Sequence, residues 1–305
     1  MVHTYFEIGR MIVEQEQHGS KKAGYGKRVL KNLSGQLTEK FGKGFSVDNL
    51  ENMRLFFLAY SISETPSRKF ALSWSHYLVL MRIADANERG FYEIETAANN
   101  WSLRQLKRQY HSSLYERLAL SRNKEEVMRL TKHGQKLEKP EDLLKSPLTL
   151  EFLGLEEQTA YSESDLENAI ISKIQHFLLE LGKGFLFEAR QKRFTFVERH
   201  YFVDLVFYNR LLQCYVLIDL KTDELDHGDL GQMQMYVNYY DRHVKVDFEK
   251  PTIGMLLCKK RNQALVELTL PENANVYASE YSLYLPNKQL LQRKLTEWLL
   301  EFDEY

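Results

Sequence analysis

Along the first half of the chain, apolar residues recur three and four positions apart, the period of a helix that buries one face. In HTYFEIGRMIVEQEQ, Tyr5, Ile8 and Ile12 share a face, and the glycine-rich HGSKKAGYGK ends the segment. KRVLKNLSGQLTEKFG repeats the stripe through Val29, Leu33, Leu37 and Phe41. After the turn GKGFS, Ser46 is placed to cap a helix over VDNLENMRLFFLAY, because its hydroxyl can accept from the free first-turn amides. Two helices joined by a short glycine-bearing turn predict a helix-turn-helix-like pair. Beyond the polar SETPSRK, the dense apolar run WSHYLVLMRIAD predicts a buried helix. WSLRQLKRQYHSSLYERLALSR predicts another, with Ser102 as cap and Leu103, Leu106, Tyr110 and Leu114 on the core face.

Between roughly 133 and 161 the period fails in a stretch with two prolines. This divides the chain into a helical domain over 1–140, a linker over 141–160 and a second domain over 161–305. That second domain changes rhythm. SESDLENAIISKIQHFLLELG predicts an amphipathic helix ending at Gly182, with Ser162 or Ser164 as cap and Leu166, Ile170, Ile174, Phe177 and Leu181 inward. Strand-like FLFEARQKRF, YFVDLVFYN and QCYVLIDLK follow, then the helix DLGQMQMYVNYYDRH and the strand TIGMLLCKK. Helix, three strands, helix, strand predicts an α/β domain on a mixed sheet, so the whole chain reads as a multi-domain α plus α/β protein.

Net charge is -1, but it is unevenly spread. Residues 1–145 hold 24 Lys+Arg against 17 Asp+Glu, a balance of +7, and the remainder holds 17 against 25, a balance of -8. A basic half beside an acidic half suits a module that meets a polyanion, joined to a domain whose carboxylates have another task. Arg104, Lys107 and Arg108 lie beside the apolar stripe of their helix, on a face that could sit on phosphates. The two cysteines, Cys214 and Cys258, sit in apolar strand-like runs and read as buried free thiols. No run approaches the roughly 18 to 20 apolar residues of a membrane span, and Glu7 interrupts any leader-like start, so the expected location is the cytoplasm.

The chemistry concentrates in two adjacent strands. YFVDLVFYN is apolar on both faces, which predicts a central strand, and Asp204 is the charge within it. In the next strand Asp219 and Lys221 lie two apart and project from one face. A hairpin with a four-residue loop pairs Asn209 with Cys214, and the same register sets Asp204 opposite Asp219, with Cβ atoms about 5 Å apart. Opposed buried carboxylates need compensation, which a hard divalent cation such as Mg²⁺ supplies well. Two carboxylates, a cation and a lysine together suit phosphodiester hydrolysis.

This arrangement resembles the PD-(D/E)XK nuclease superfamily, with its αβββαβ, restriction-endonuclease-like core. More narrowly, YFEIGRMIVEQEQHGSKKAGYGK, FGKGFSVDNLENMRLFF, LSWSHYLVLMRI, WSLRQLKRQYHSSLYER, LLELGKGFLFEARQKRF, FVDLVFYNRLLQCYVLIDLK and GQMQMYVNYY resemble the YhcG family. The resemblance implies that Asp204 is the first metal-binding acid and that Asp219 and Lys221 are the (D/E)XK pair. It also implies that Glu167, on the helix before the sheet, completes the metal site and that Gln232 orients water or phosphate. Mg²⁺ or Mn²⁺ is the implied cofactor, and nucleic acid, DNA first, the implied partner. Val203 stands where the superfamily name has proline, a position that supplies backbone shape and no ligand. Family members often carry a helix before YFEIGR, so the helical bundle is expected to be incomplete as written. A different class of function is a nucleic-acid-binding or assembly protein that kept the fold without turnover. A third reading makes the helical domain a protein–protein or dimerisation module, the latter giving a homo-oligomer.

Overall fold

The computed structural model describes residues 1–18, 23–61, 70–145, 147–155, 161–271 and 273–301. Contacts divide the chain into two units, Met1–Arg108 and Gln109–Tyr305. The first contains α1 (Val2–His18), α2 (Ala23–Phe41), α3 (Val47–Tyr60), α4 (Trp74–Leu80), α5 (Ala86–Ala98) and most of α6 (Leu103–His111). Tyr5, Ile8, Leu33 and Leu37 from the predicted stripes pack on a buried centre of Ile12, Leu30, Leu50 and Met53. Phe41 departs from its stripe: it closes the last turn of α2 in solvent, its ring against Phe45 at 6.1 Å. Ser46 caps α3 as expected, accepting from Asn49 N–H at 3.3 Å, and Ser102 accepts from Gln105 N–H at 3.3 Å in α6. Glycine is required at position 9, where a Cβ would fall 2.0 Å from the Met53 carbonyl oxygen and hold α1 off α3. Residues 19–22 of the predicted glycine-rich break, and 63–69 of the polar SETPSRK, lie outside the described residues.

The helix predicted from Leu103 through Leu114 is two helices. Ser113 takes the left-handed conformation at φ 54°, which a helix cannot continue through, and Leu114 opens α7 (Leu114–Ala119). The second unit continues with α8 (Lys124–His133), a 3-10 turn at Pro140–Leu143, β1 (Leu148–Thr149) and a 3-10 turn at Glu151–Leu153. The stretch read as a linker, 141–160, thus carries two turns and a strand, and Leu143, Leu148, Leu150 and Leu153 enter the core beneath the sheet. Elements this short show no period for a sequence reading to catch.

There follow α9 (Glu163–Ser172), α10 (Ile174–Leu181), β2 (Phe185–Phe196), β3 (Arg199–Asn209), β4 (Cys214–Leu220), α11 (His227–His243), β5 (Ile253–Cys258), α12 (Gln263–Thr269), β6 (Val276–Ser282) and α13 (Lys288–Glu301). The one helix predicted over 162–182 breaks at Lys173, after the β-branched Ile170 and Ile171, which are weak helix formers. The sheet order is β1-β6-β5-β4-β3-β2. β2, β3 and β4 are antiparallel neighbours, and β4, β5, β6 and β1 run parallel. One face is covered by Leu166, Ile170, Phe177 and Leu181 of α9 and α10, the other by Leu230, Met233, Val237 and Tyr240 of α11. This is the αβββαβ core, extended by β6 and β1 on its parallel side. Both cysteines are free and buried, and burial pushes the Cys214 thiol up to about 11.

An ion pair inside the second unit fastens its first segment to the sheet. Arg117, fully buried on α7, donates to Glu180 Oε1 on α10 at 2.5 Å and to the Pro147 carbonyl at 2.9 Å. The same carboxylate oxygen accepts from Thr149 N–H of β1 at 3.0 Å. Arg117→Met takes the buried guanidinium away from the Glu180 carboxylate and should cost about 3–5 kcal/mol. The double variant with Glu180→Leu should recover much of that loss. Denaturant unfolding of the three proteins checks this, and a single variant as stable as the parent would show that the pair holds nothing.

Candidate active site

The hairpin register follows the sequence expectation. Asn209 pairs with Cys214 and the ladder runs to Leu205 opposite Ile218, so Asp204 and Asp219 are next in line. Each carboxylate reaches across to the other strand. Asp204 N–H donates to Asp219 Oδ1 at 3.3 Å, and Leu220 N–H donates to Asp204 Oδ2 at 2.9 Å. Asp219 is 4% exposed, and burial, then the charge on Asp204, pushes its carboxyl up to about 7. The site therefore stores electrostatic strain that a cation would relieve.

Lys221 follows the end of β4, with Nζ 3.4 Å from Glu163 Oε1 of α9 and 3.4 Å from Asp229 Oδ1 of α11. Burial works to lower its pKa, but the charges of Glu163, Asp229 and Asp219 outweigh that and leave it above the usual lysine value. Lys221 is thus a fixed cation near neutral pH, which favours positioning over taking a proton from water. Two capping boxes set this geometry. Ser162 with Asp165 starts α9 so that Glu163 falls in its first turn, and Asp226 with Asp229 starts α11.

Glu167, one turn further along α9, is buried where an ordinary helix glutamate would be exposed. Its Oε2 accepts from Gln191 Nε2 at 2.6 Å, and the same amide donates to Asp204 Oδ1 at 2.9 Å. Its Oε1 lies 2.9 Å from Arg190 Nε, out of line for a hydrogen bond, and is left without one. Gln191 holds this bridge from a left-handed backbone at φ 46°, where the β2–β3 ladder skips the Gln191–Asp204 pair. Such strain clusters at functional sites. Gln232, exposed on α11, donates to the hydroxyl of Tyr236, which is buried. Burial raises the Tyr236 phenol, Gln232 opposes this, and the charges of Asp219 and Asp204 raise it further, so the phenol feels both carboxylates.

The structure therefore brings Asp204, Asp219, Lys221 and Glu167 to one end of the β3–β4 ladder, with Gln232 reaching it through Tyr236. Glu163, Asp229, Arg190, Gln191 and Tyr236 were not read from the sequence. The capping-box patterns at Ser162 and Asp226 and the four-residue spacing of Gln232 and Tyr236 carried part of that information. Nothing in sequence marks Gln191, whose role depends on one left-handed residue. In the first unit, Arg104 and Lys107 are exposed, whereas Arg108 is half-buried and already has a partner. Among the described residues no three His, Cys, Asp or Glu side chains already converge as a cage for a metal ion. A cation here would take two carboxylates and fill its remaining positions with water and phosphate oxygens, as Mg²⁺ commonly does. No described helix is long and apolar enough to cross a membrane.

Comparison with known proteins shows the family of the chain. The YhcG PDDEXK nuclease domain matches residues 141–296, and the DUF1016 N-terminal domain matches 1–117. The YhcG protein of Escherichia coli (strain K12) is 37% identical across 99% of this chain and 88% of its own length. Among solved structures, a repair endonuclease from Pyrococcus abyssi superposes with a TM-score of 0.28 at 19% identity, over 43% of this chain and 50% of that one. An EndoMS complex with double-stranded DNA gives 0.30 at 17% identity, over 43% of this chain and 48% of that one. The chain spans about half of each, and superpositions this weak carry no argument about fold or activity. By its nuclease domain and its full-length relative, the chain belongs to the YhcG family of PDDEXK nucleases.

Proposed function

We propose that this protein hydrolyses phosphodiester bonds of DNA with Mg²⁺ or Mn²⁺, at Asp204, Asp219 and Lys221, and that its helical unit supplies affinity for the polynucleotide. The observation that carries the reading is the opposed pair Asp204 and Asp219, one of them buried and held up to about 7, with a charged lysine beside it. The donor set fits a hard divalent cation: carboxylate oxygens, one of them the buried Glu167 Oε1, which faces Arg190 and accepts no hydrogen bond. When bound, such an ion supplies water activation and neutralises charge growing on the phosphate. Asp204 and Asp219 would hold it, with Glu167 drawn close by Gln191. Lys221 places positive charge where the phosphate becomes more negative, and Glu163 and Asp229 fix its ammonium. Gln232 and Tyr236 offer an amide and a hydroxyl to water or phosphate.

The test is incubation of the full chain with labelled duplex DNA, single-stranded DNA and RNA, in Mg²⁺, Mn²⁺ or EDTA. DNA should be cut with metal and left intact in EDTA. Cleavage in EDTA would overturn the mechanism, cleavage of RNA alone would overturn the substrate, and binding without cleavage would make this an assembly or binding module. Affinity has its own arm. Arg104→Ser with Lys107→Ser removes two accessible cations and should flatten the log–log salt slope of binding by about two units. An unchanged slope would make that face a solvated surface, and the helical unit a protein-interaction or dimerisation module.

A further inference from the structure

Beside the β2–β3 hairpin lies a cleft of about 270 Å³ that the hydrolytic site does not use. Its walls are aromatic. Phe194 stacks on Tyr239 with ring centroids 4.0 Å apart, and Phe196, near the end of β2, stands 51% exposed at the mouth. The floor is polar. Gln234 and Asn238, on successive turns of α11, line the cleft and share a hydrogen bond of 3.2 Å. At one edge Arg242, in the last turn of α11, supplies positive charge. A cleft for an apolar side chain has no use for two amides and an arginine, and a cleft for a simple anion has no use for ring walls. A nucleotide meets both demands: a flat π-face for an exposed ring, polar base edges for the amides, and a phosphate for the arginine.

Position supports the same occupant. Gln191, which bridges Glu167 and Asp204, lies three residues before Phe194 on β2, roughly 10 Å along a strand. That distance is a few nucleotides at about 3.4 Å of rise each. α11 likewise carries Gln232 and Tyr236 at the carboxylates and Gln234, Asn238 and Arg242 at the cleft. Bases inside a duplex are stacked and cannot enter, so the cleft selects an unpaired one.

We propose that this cleft seats one unpaired nucleobase of a strand lying in the active site, stacked against Phe196, with Arg242 on its phosphate. This rests on the nuclease reading above and adds to it a preference for a single-stranded nucleotide beside the cleavage point.

The measurement is fluorescence anisotropy with the full chain, Ca²⁺ in place of Mg²⁺, and matched single-stranded and duplex oligonucleotides. Phe196→Ala should weaken single-strand binding by roughly fivefold to a hundredfold, the usual range for loss of one base–aromatic stack. Duplex affinity should change less than about twofold, and Phe196→Trp should restore the single-strand value. Arg242→Gln should flatten the salt slope by about one unit, which Phe196→Ala leaves alone. A 2-aminopurine scanned along the strand should be quenched at one position in the wild type and at none in Phe196→Ala. Equal losses on both substrates, or none on either, would overturn the subsite. So would a wild-type dimer in sedimentation that Phe196→Ala dissociates, since a second copy would then fill the cleft. A wild type that cuts DNA while Phe196→Ala binds as it does sinks only the subsite. A wild type that neither binds nor cuts any polynucleotide sinks the nuclease reading itself.

Discussion

Strand cleavage should fall by roughly 10² to 10⁴-fold in Asp219→Ala, because the variant loses a ligand for a cation whose charge stabilisation is worth several kcal/mol. Lys221→Met should lose roughly 10²–10³-fold for a separate reason, the removal of a fixed positive charge aimed at the reacting phosphate. The two losses should differ in kind. Extra Mn²⁺ should partly rescue a weakened metal site and leave Lys221→Met unmoved. Lys221→Met gives up a half-exposed pair with Glu163, at 46%, and a more buried one with Asp229, at 19%, so its folding has to be read beside its rate. Lys221→Arg should not restore the rate, since a planar guanidinium cannot take the place of a compact ammonium set between Glu163 and Asp229. Turnover under saturating metal, beside circular dichroism of each variant, makes the comparison. Wild-type rates in either Asp219→Ala or Lys221→Met would remove the assigned site.

The site's centre was legible in sequence because strand geometry is rigid. A four-residue loop between Asn209 and Cys214 fixes the register, the side-chain period of two fixes the face, and both carry through to Asp204 and Asp219. The carboxylate pair therefore followed from counting. Its surroundings did not, because they come from elements far apart in the chain. Glu163 and Asp229 meet at Lys221 only once α9 and α11 have packed on the sheet, and Gln191 reaches two carboxylates only through a left-handed residue. The fold shows the same divide. Long amphipathic runs read correctly as helices, whereas the breaks at Ser113 and Lys173 rest on single backbone conformations. β1, two residues long, is held by β6 and by Glu180, partners no local pattern reveals.

Without metal, Asp219→Asn should melt higher than wild type at pH 8. Asp219 carries a pKa raised from 3.8 to about 7, by burial first and Asp204 second, so the folded state binds its proton more tightly than the unfolded state does. Below about pH 4 both states are protonated and nothing is lost. Between pH 4 and 7 the unfolded chain releases that proton first, so the wild type loses stability as pH rises, by up to about 4 kcal/mol for a shift of this size. Asparagine keeps the shape and an oxygen for Asp204 N–H, now bonded at 3.3 Å, but carries no charge to desolvate. For a unit of this size each kcal/mol is worth about 2–4 °C, so the gap at pH 8 should be several degrees, should narrow to roughly two fifths of that at pH 5 and should close below about pH 4. A divalent cation binds the ionised pair and competes with the proton. Mg²⁺ or Mn²⁺ at about a hundred times its dissociation constant should therefore add about 2.7 kcal/mol to the wild type at pH 8, little at pH 5, and almost nothing to Asp219→Asn at either. Calorimetry in EDTA and in metal, at both pH values, reads the whole pattern on the transition of the second unit. If the asparagine variant melted lower in EDTA at pH 8, and metal left the wild type unmoved, Asp204 and Asp219 would not share a cation, and the proposed chemistry would lose its physical basis.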